Sequence, residues 1–356
     1  MARGHAAAAD RLARKAQLPD LTVQVLADAA AEAGLARAVK PFPREGTLAE
    51  RLRAARLLMA PMAGVSDAAY RTMARAGGAA LAYSEMVSVA GIHYGGAATW
   101  ELVEPCAAER DLAVQLFGSD PAQFAEAAEQ VSERLGERLA LIDINMACPV
   151  PKVVRKGEGS ALMDDPVRSA AIVEAVRAHT QVPVTVKIRQ GRVTGTELAP
   201  DFARAMEQAG AAAIAVHGRY ASQLYRGVAD WSAIARVVQA VDLPVIASGD
   251  VYTTADAQAV LEQTGAAAAF VARGSYGNPW IFSGVQAGFE QKLAAFALHV
   301  RLLEATGAHL ARARSLAGWY LKGFPMASSL RNQAMACSTV DEFLELAARV
   351  REEIEV

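Results

Sequence analysis

Several short stretches of this sequence hold side chains suited to redox or acid–base work, and each follows an apolar run. Asn145-Met146-Ala147-Cys148-Pro149 sets an amide and a thiol just ahead of Lys152, Arg155 and Lys156. A thiol in so cationic a loop is read as reactive, because nearby positive charge favours the thiolate. Cys106 and Cys337 have no such setting. Val186-Lys187-Ile188-Arg189 embeds a lysine in an apolar run. A buried lysine is costly unless something anionic meets it. Gln115, Asn145 and His217 close neighbouring runs. Ser248-Gly249-Asp250 and Ala272-Arg273-Gly274-Ser275 offer small residues that expose backbone N–H groups, plus a guanidinium, which suits a phosphorylated ligand. A flavin answers the whole set: phosphate at the last two stretches, an amide such as Gln115 at its pyrimidine edge, and a nearby cation for the charge of the reduced ring. A Schiff-base lysine, as in barrel aldolases, is the competing role for Lys187.

These residues need a scaffold that brings strand ends together. The runs Leu57–Ala60, Ala80–Tyr83, Leu112–Leu116, Leu141–Ile144, Val184–Ile188, Ala213–Val216, Val245–Ala247 and Ala268–Val271 are short and nearly all apolar, as buried parallel strands are. Amphipathic stretches lie between them. Pro121–Leu135 puts Phe124, Ala128, Val131 and Leu135 on one face, and Pro166 opens another helix. Eight β-then-α units predict an α/β fold, a closed (β/α)8 TIM barrel over residues 57–286. No G-x-G-x-x-G follows a strand near the start, so a dinucleotide-binding open sheet lacks support. A barrel gathers function at the C-terminal ends of its strands and binds phosphate after strands seven and eight. The polar endings, from Ala60–Asp67 and Ser84-Glu85-Met86 through to Ala272-Arg273-Gly274, fall there. Outside the barrel, residues 1–56 read as an Ala-rich helical extension broken at Pro41-Phe42-Pro43. Residues 287–356 read as a small helical domain split by Lys322-Gly323-Phe324-Pro325.

Composition excludes several classes. Of the 356 residues 53% are hydrophobic and 21% charged, which is not a disordered chain. No uncharged apolar run approaches the ~20 residues that span a bilayer. Arg3, Asp10 and Arg11 interrupt the start, so it does not read as a secretory signal. Three scattered cysteines form no CxxC pair, disulfide framework or metal site. The chain reads as a cytoplasmic, metal-free monomer. The net charge of −2 calls for no polyanion, but its distribution is uneven. From Lys292 to Arg331 six cations (Lys292, Arg301, Arg312, Arg314, Lys322, Arg331) face one acid, Glu304.

The ordered motifs Ala60-Pro61-Met62-Ala63-Gly64-Val65-Ser66-Asp67, Ser84-Glu85-Met86-Val87, Gln115-Leu116-Phe117-Gly118, Asn145–Val150 with Lys152-Val153, Val186–Arg189, His217-Gly218-Arg219, Ala229-Asp230-Trp231, Ser248–Asp250 and Gly277–Phe282 carry a resemblance. The chain resembles the tRNA-dihydrouridine synthases, flavoenzymes that reduce uridine in tRNA. The match continues weakly through Trp319–Gly323 and Leu330-Arg331-Asn332. The resemblance implies FMN as cofactor, NADPH as reductant and tRNA as partner. It implies that Pro61, Met62 and Ala63 form the first FMN loop. Gln115 and Lys187 would meet the flavin ring, His217 would stand nearby, and Ser248, Gly249 and Asp250 with Ala272 and Arg273 would bind the phosphate. Cys148 would be the proton donor, and Asn145, Lys152 and Arg219 would face the target nucleotide. The tail would bind tRNA, with Arg312, Arg314 and Arg331 on phosphates. The implied reaction sends hydride to uracil C6 and a proton from Cys148 to C5. Two departures stand out: Ala147 replaces the family's usual Gly before the cysteine, and Ser248 stands where Asn is common. Residues 1–56 exceed the family's usual start. Two other classes share part of the pattern: a flavin barrel acting on a free pyrimidine, similar to dihydroorotate dehydrogenases, and a non-catalytic tRNA-binding protein. The basic tail argues against the first; intact Cys148, Lys187 and His217 argue against the second.

Overall fold

The computed structural model describes residues 21–355. The stretch Met1–Leu12, which does not read as a secretory signal, lies outside the described residues. Eight strands, β1 (Leu57–Met59), β2 (Tyr83–Ser88), β3 (Leu112–Phe117), β4 (Leu139–Asn145), β5 (Val184–Arg189), β6 (Ala213–His217), β7 (Val245–Ser248) and β8 (Ala268–Val271), pair in parallel in chain order. β1 pairs with β8, and a bridge between Met59 and Ala82 joins β1 to the start of β2, which closes the barrel. The helices between strands begin at side-chain caps. Asp67, Asp120, Asp165 and Asp230 each accept a backbone N–H of the first turn, and Thr253 forms a capping box with Asp256. These caps fix where each loop at the barrel mouth must end.

Period-two alternation sorts the strands into two cores. Leu58, Leu81, Tyr83, Ala113, Leu141, Ala213, Ala215, Ile246, Ala268 and Phe270 pack inside the barrel. Val114, Leu116, Ile142, Ile144, Val186, Ile188, Ile214 and Val216 pack outward against the helices. The inner face then continues upward as Gln115, Asp143 and Asn145, Thr185 and Lys187, and His217.

The second strand differs from the sequence expectation. It runs Tyr83–Ser88 rather than Ala80–Tyr83, with a register shift between Tyr83 and Met86. Of the polar residues read as its end, Ser84 is satisfied within the sheet, and the Glu85 carboxylate accepts from the Gly64 N–H and from Arg312. The Ser84 hydroxyl accepts the Gln115 N–H at 3.0 Å and donates to the Glu85 carbonyl at 2.7 Å.

The segment from residue 21 to β1 holds two short helices, Thr22–Ala29 and Leu48–Ala55, with Pro41–Pro43 in the irregular chain between them. It touches both other regions. Phe42, Leu48 and Leu52 join the barrel's inner core. Leu26, Ala30, Ala33 and Leu35 join the tail's core, and the Trp280 indole donates to the Ala33 carbonyl at 2.7 Å. The tail is four helices, Phe289–Ala305, Arg312–Tyr320, Ala327–Ala336 and Val340–Glu355. Trp319 from the tail stacks on Tyr276 after β8, with centroids 4.1 Å apart. No helix among the described residues is long and apolar enough to cross a membrane.

Candidate functional site

A cavity of about 630 Å3 opens at the C-terminal ends of the strands. Pro61, Met62, Ala63, Gln115, Asn145, Cys148, Lys152, Lys187, His217, Ser248, Gly249, Asp250, Ala272 and Arg273 all line it. So do residues the sequence reading did not single out for binding: Arg189, Tyr225, Tyr252, Tyr276 and Lys156 among them. Arg189 could have been found, since it shares Lys187's parity on β5. Tyr225 and Tyr252 lie in loops, where no periodicity marks them. They flank Arg273, whose guanidinium carbon stands 5.7 Å and 5.3 Å from their ring centroids.

The floor is a run of directed hydrogen bonds. Gln115 Nε2 donates to Asp143 Oδ2 at 2.6 Å, and Thr185 Oγ1 donates to Asp143 Oδ1 at 2.6 Å. Asn145 Nδ2 donates to Gln115 Oε1 at 2.7 Å. Asn145 Oδ1 in turn accepts the N–H groups of Ala147 and Cys148 at 3.1 and 2.9 Å. Lys187 is 8% exposed, and among the described residues no carboxylate stands within ion-pair distance of it. Burial, then the charge of Arg189, pulls its ammonium down to about 8. Burial pushes the Asp143 carboxyl up to about 6. His217 is held well below its usual range by burial and by Lys187, Arg189, Arg219 and Arg273 around it, so its ring is neutral. Its Nε2 therefore accepts from Arg219 Nη1, at 3.3 Å.

Cys148 sits in a loop pinned from both sides. Arg189 Nε donates to the Ala147 carbonyl at 2.8 Å, and the Ser160 N–H donates to the Cys148 carbonyl at 3.0 Å. Ala147 has a negative φ, so the methyl that replaces the family's usual glycine meets no left-handed backbone strain. The cations near this loop do not turn the thiol into a thiolate. Burial pushes the thiol up and outweighs Arg189 and Lys187, the cations that act on it. Lys152 is exposed at the rim.

The loop after β7 turns through two positive φ values, 118° at Gly249 and 56° at Asp250. A Cβ on Gly249 would stand 2.7 Å from Ala229 Cβ and 3.0 Å from the His217 ring. The strained Asp250 is held by its carboxylate, which accepts from Arg219 Nη2 at 2.6 and 2.8 Å and from the Ala229 N–H at 2.7 Å. Arg219 is thereby committed: it is 1% exposed, and its remaining donors meet the Arg226 and Gly227 carbonyls. It braces the wall of the cavity rather than facing its interior.

The three tail arginines are dispersed. Arg312 Nη1 and Nη2 bind the Asp67 and Glu85 carboxylates, tying the tail to the first barrel loop. Arg314 is half-buried and donates to the Cys337 carbonyl at 3.2 Å. Arg331 is exposed. Among the described residues no cluster of His, Cys, Asp or Glu could hold a metal ion.

Residues 58–355 match the family model described as dihydrouridine synthase. A Pseudomonas aeruginosa protein named tRNA-dihydrouridine synthase B is 39% identical over 297 residues, covering 78% of this chain and 87% of that one. A Synechocystis protein named "Probable tRNA-dihydrouridine synthase 1" is 37% identical over 305 residues, covering 82% and 85%.

Proposed function

The chain belongs to the dihydrouridine synthase family, and from that premise we propose that it reduces the C5=C6 bond of uridine in tRNA, with FMN as its bound flavin and NADPH as reductant. The observation that carries the reading is the convergence of Gln115, Asn145, Cys148, Lys187, His217 and the loops after β7 and β8 on one cavity.

The residues fit a flavin. Lys187 is a buried cation that lines the cavity with no carboxylate in ion-pair contact among the described residues, and a ring that becomes electron-rich on reduction would complement it. Gln115 keeps one amide hydrogen and one lone pair beyond its two floor contacts, which complements an amide-type ring edge. At Gly249 the missing side chain leaves the backbone open to a close-lying phosphate, with Arg273 beside it. Because the Asp250 carboxylate is neutralised by Arg219, its repulsion of a phosphate is muted.

When bound, the flavin supplies the hydride for C6, which is electrophilic because C5=C6 is conjugated with the C4 carbonyl. The chain supplies the rest. Cys148, held protonated by burial, gives its proton to C5. Asn145 fixes the backbone of the Cys148 loop, so the thiol keeps its place while the base is exchanged. The target base must leave the RNA stack to enter the cavity. Exposed Lys152 and Lys156 at the rim are suited to the flanking phosphates.

The test is a purified protein, its visible flavin absorbance, and its reoxidation. Protein reduced with NADPH should be reoxidised by tRNA lacking dihydrouridine and not by free uridine or orotate. Colourless protein that binds no FMN would remove the reading. Reoxidation by a free pyrimidine alone would transfer it to that class.

A further inference from the structure

Asp143 lies in the floor of the barrel, is fully buried, and does not line the cavity. Its place in the sequence marks it only by parity: it stands two residues before Asn145 and so shares its inward direction. Register places it level with Gln115 on β3 and Thr185 on β5. Every hydrogen bond in that floor points towards it. Two backbone N–H groups fix the Asn145 oxygen; that turns the Asn145 nitrogen to Gln115, and Gln115 must then turn its own nitrogen onwards. A carboxylate, which only accepts, is the group that can terminate such a chain.

We propose that Asp143 is a positioning residue that locks, from the far end, the donor–acceptor direction of the Gln115–Asn145 pair, and with it the hydrogen-bonding pattern offered to the flavin and the hold of Asn145 on the Cys148 loop. The role rests on the proposed function and deepens it. An amide has nearly the same shape after a half-turn, so packing alone holds its direction weakly. Reversing Gln115 would aim its oxygen at the Asp143 carboxylate and its nitrogen at the Asn145 nitrogen, two repulsive contacts at hydrogen-bond distance. The anchor for the amides therefore lies one residue behind the surface that the ligand touches.

The proposal separates acceptance from charge and from bulk. Asp143→Asn can still offer an oxygen to Gln115 while its nitrogen turns to the Thr185 hydroxyl. Flavin-stripped protein of this variant should bind FMN within about threefold of wild type, because the change removes a charge and keeps the hydrogen bond. Asp143→Leu removes the acceptor; FMN affinity should fall at least about tenfold, and tRNA-driven reoxidation should slow further. A second pair guards against misfolding of the leucine variant. Gln115→Glu puts two carboxyl groups face to face and should bind FMN poorly. Adding Asp143→Asn supplies a donor to the new carboxylate and should recover at least about fivefold of that affinity. Binding is read by quenching of FMN fluorescence, which needs no turnover. A double variant no tighter than Gln115→Glu, or a folded Asp143→Leu protein with wild-type FMN affinity, would overturn the role. If wild-type protein binds no FMN, the functional reading fails by itself. The direction is then read from the side-chain amide NMR signals of Gln115 and Asn145, which Asp143→Leu should shift and which would refute the role by staying put.

Discussion

In the proposed reaction Cys148 gives a proton rather than attacking as a thiolate, and burial, which outweighs the two cations that act on it, favours the protonated thiol this needs. Cys148→Ala should keep its flavin, accept hydride from NADPH and bind tRNA. Its reoxidation by tRNA should be slower by at least ~100-fold, the lower end of what general-acid catalysis contributes. Cys106→Ala and Cys337→Ala, both buried away from the cavity, should turn over normally in the same single-turnover assay. Wild-type reoxidation in Cys148→Ala would take the thiol out of the mechanism. Asp143 makes a prediction about stability with a definite sign. Its carboxyl is raised to about 6, so the folded protein holds that proton more tightly than the unfolded chain does. The contribution is full below the unfolded value near ~4 and is lost as pH rises through about 6. Flavin-free Asp143→Asn, which carries no buried charge, should therefore be the more stable protein at pH 8, by on the order of 2 kcal/mol, and the gap should narrow at pH 5. Urea unfolding midpoints at the two pH values check this, and a gap independent of pH would give Asp143 an ordinary ionisation. Lys187 behaves oppositely as a cation. With its ammonium at about 8, FMN affinity should weaken as pH rises past that value, and Lys187→Ala should lose both the pH dependence and much of the affinity.

Between residues and molecule, the elements decide which side chains meet, and here the sequence was legible to different depths. Seven of the eight strands were readable as apolar runs because both faces of a barrel strand are buried. β2 was misplaced because Ser84 and Glu85 interrupt the run, and their partners, Gln115, Gly64 and Arg312, lie far along the chain. The site inherits the same logic. Gln115, Lys187 and His217, which line the cavity, could be singled out because they close apolar strands, whereas the burial that outweighs the cations near Cys148 is not written in its sequence neighbours. Arg312 shows the limit most clearly. A basic residue in a basic tail reads as a phosphate ligand, yet its guanidinium joins Asp67, the cap of the first barrel helix, to Glu85, which also accepts the Gly64 N–H of the Pro61–Ser66 loop. Arg312 is thus a latch between the tail and a wall of the cavity. Arg312→Ala leaves two largely buried carboxylates side by side and should lower stability by on the order of 2 kcal/mol, seen as a lower melting temperature. Its tRNA binding should keep the salt dependence of the wild type; a flattened salt dependence at unchanged stability would return Arg312 to the phosphates.

At the scale of the whole chain, the barrel and the tail are joined through residues 21–56, which bury Leu52 in one core and Leu26 in the other. Local pattern could not disclose this, since the Trp280 indole and the Ala33 carbonyl that it meets are separated by most of the sequence. The arrangement bears on how a large RNA can be held. In the proposed reaction a single base enters the cavity, so affinity must come from phosphates bound elsewhere, and such binding is salt-dependent by nature. With Arg312 engaged by carboxylates and Arg314 half-buried against the Cys337 carbonyl, the exposed cations of the tail include Lys322 and Arg331. At the cavity rim Lys152 and Lys156 form a second exposed pair. If the tail carries the RNA, Lys322→Ala with Arg331→Ala should weaken tRNA binding and reduce the slope of log affinity against log salt by roughly 0.7–0.9 for each phosphate left without its cation. Flavin content and melting temperature should be unchanged, because neither side chain lines the cavity and both are exposed. Titrations of tRNA at several salt concentrations measure the slope directly. An unaltered slope would make these two residues a solvated face and leave the phosphates to the rim, where Lys152→Ala with Lys156→Ala should then flatten the same plot.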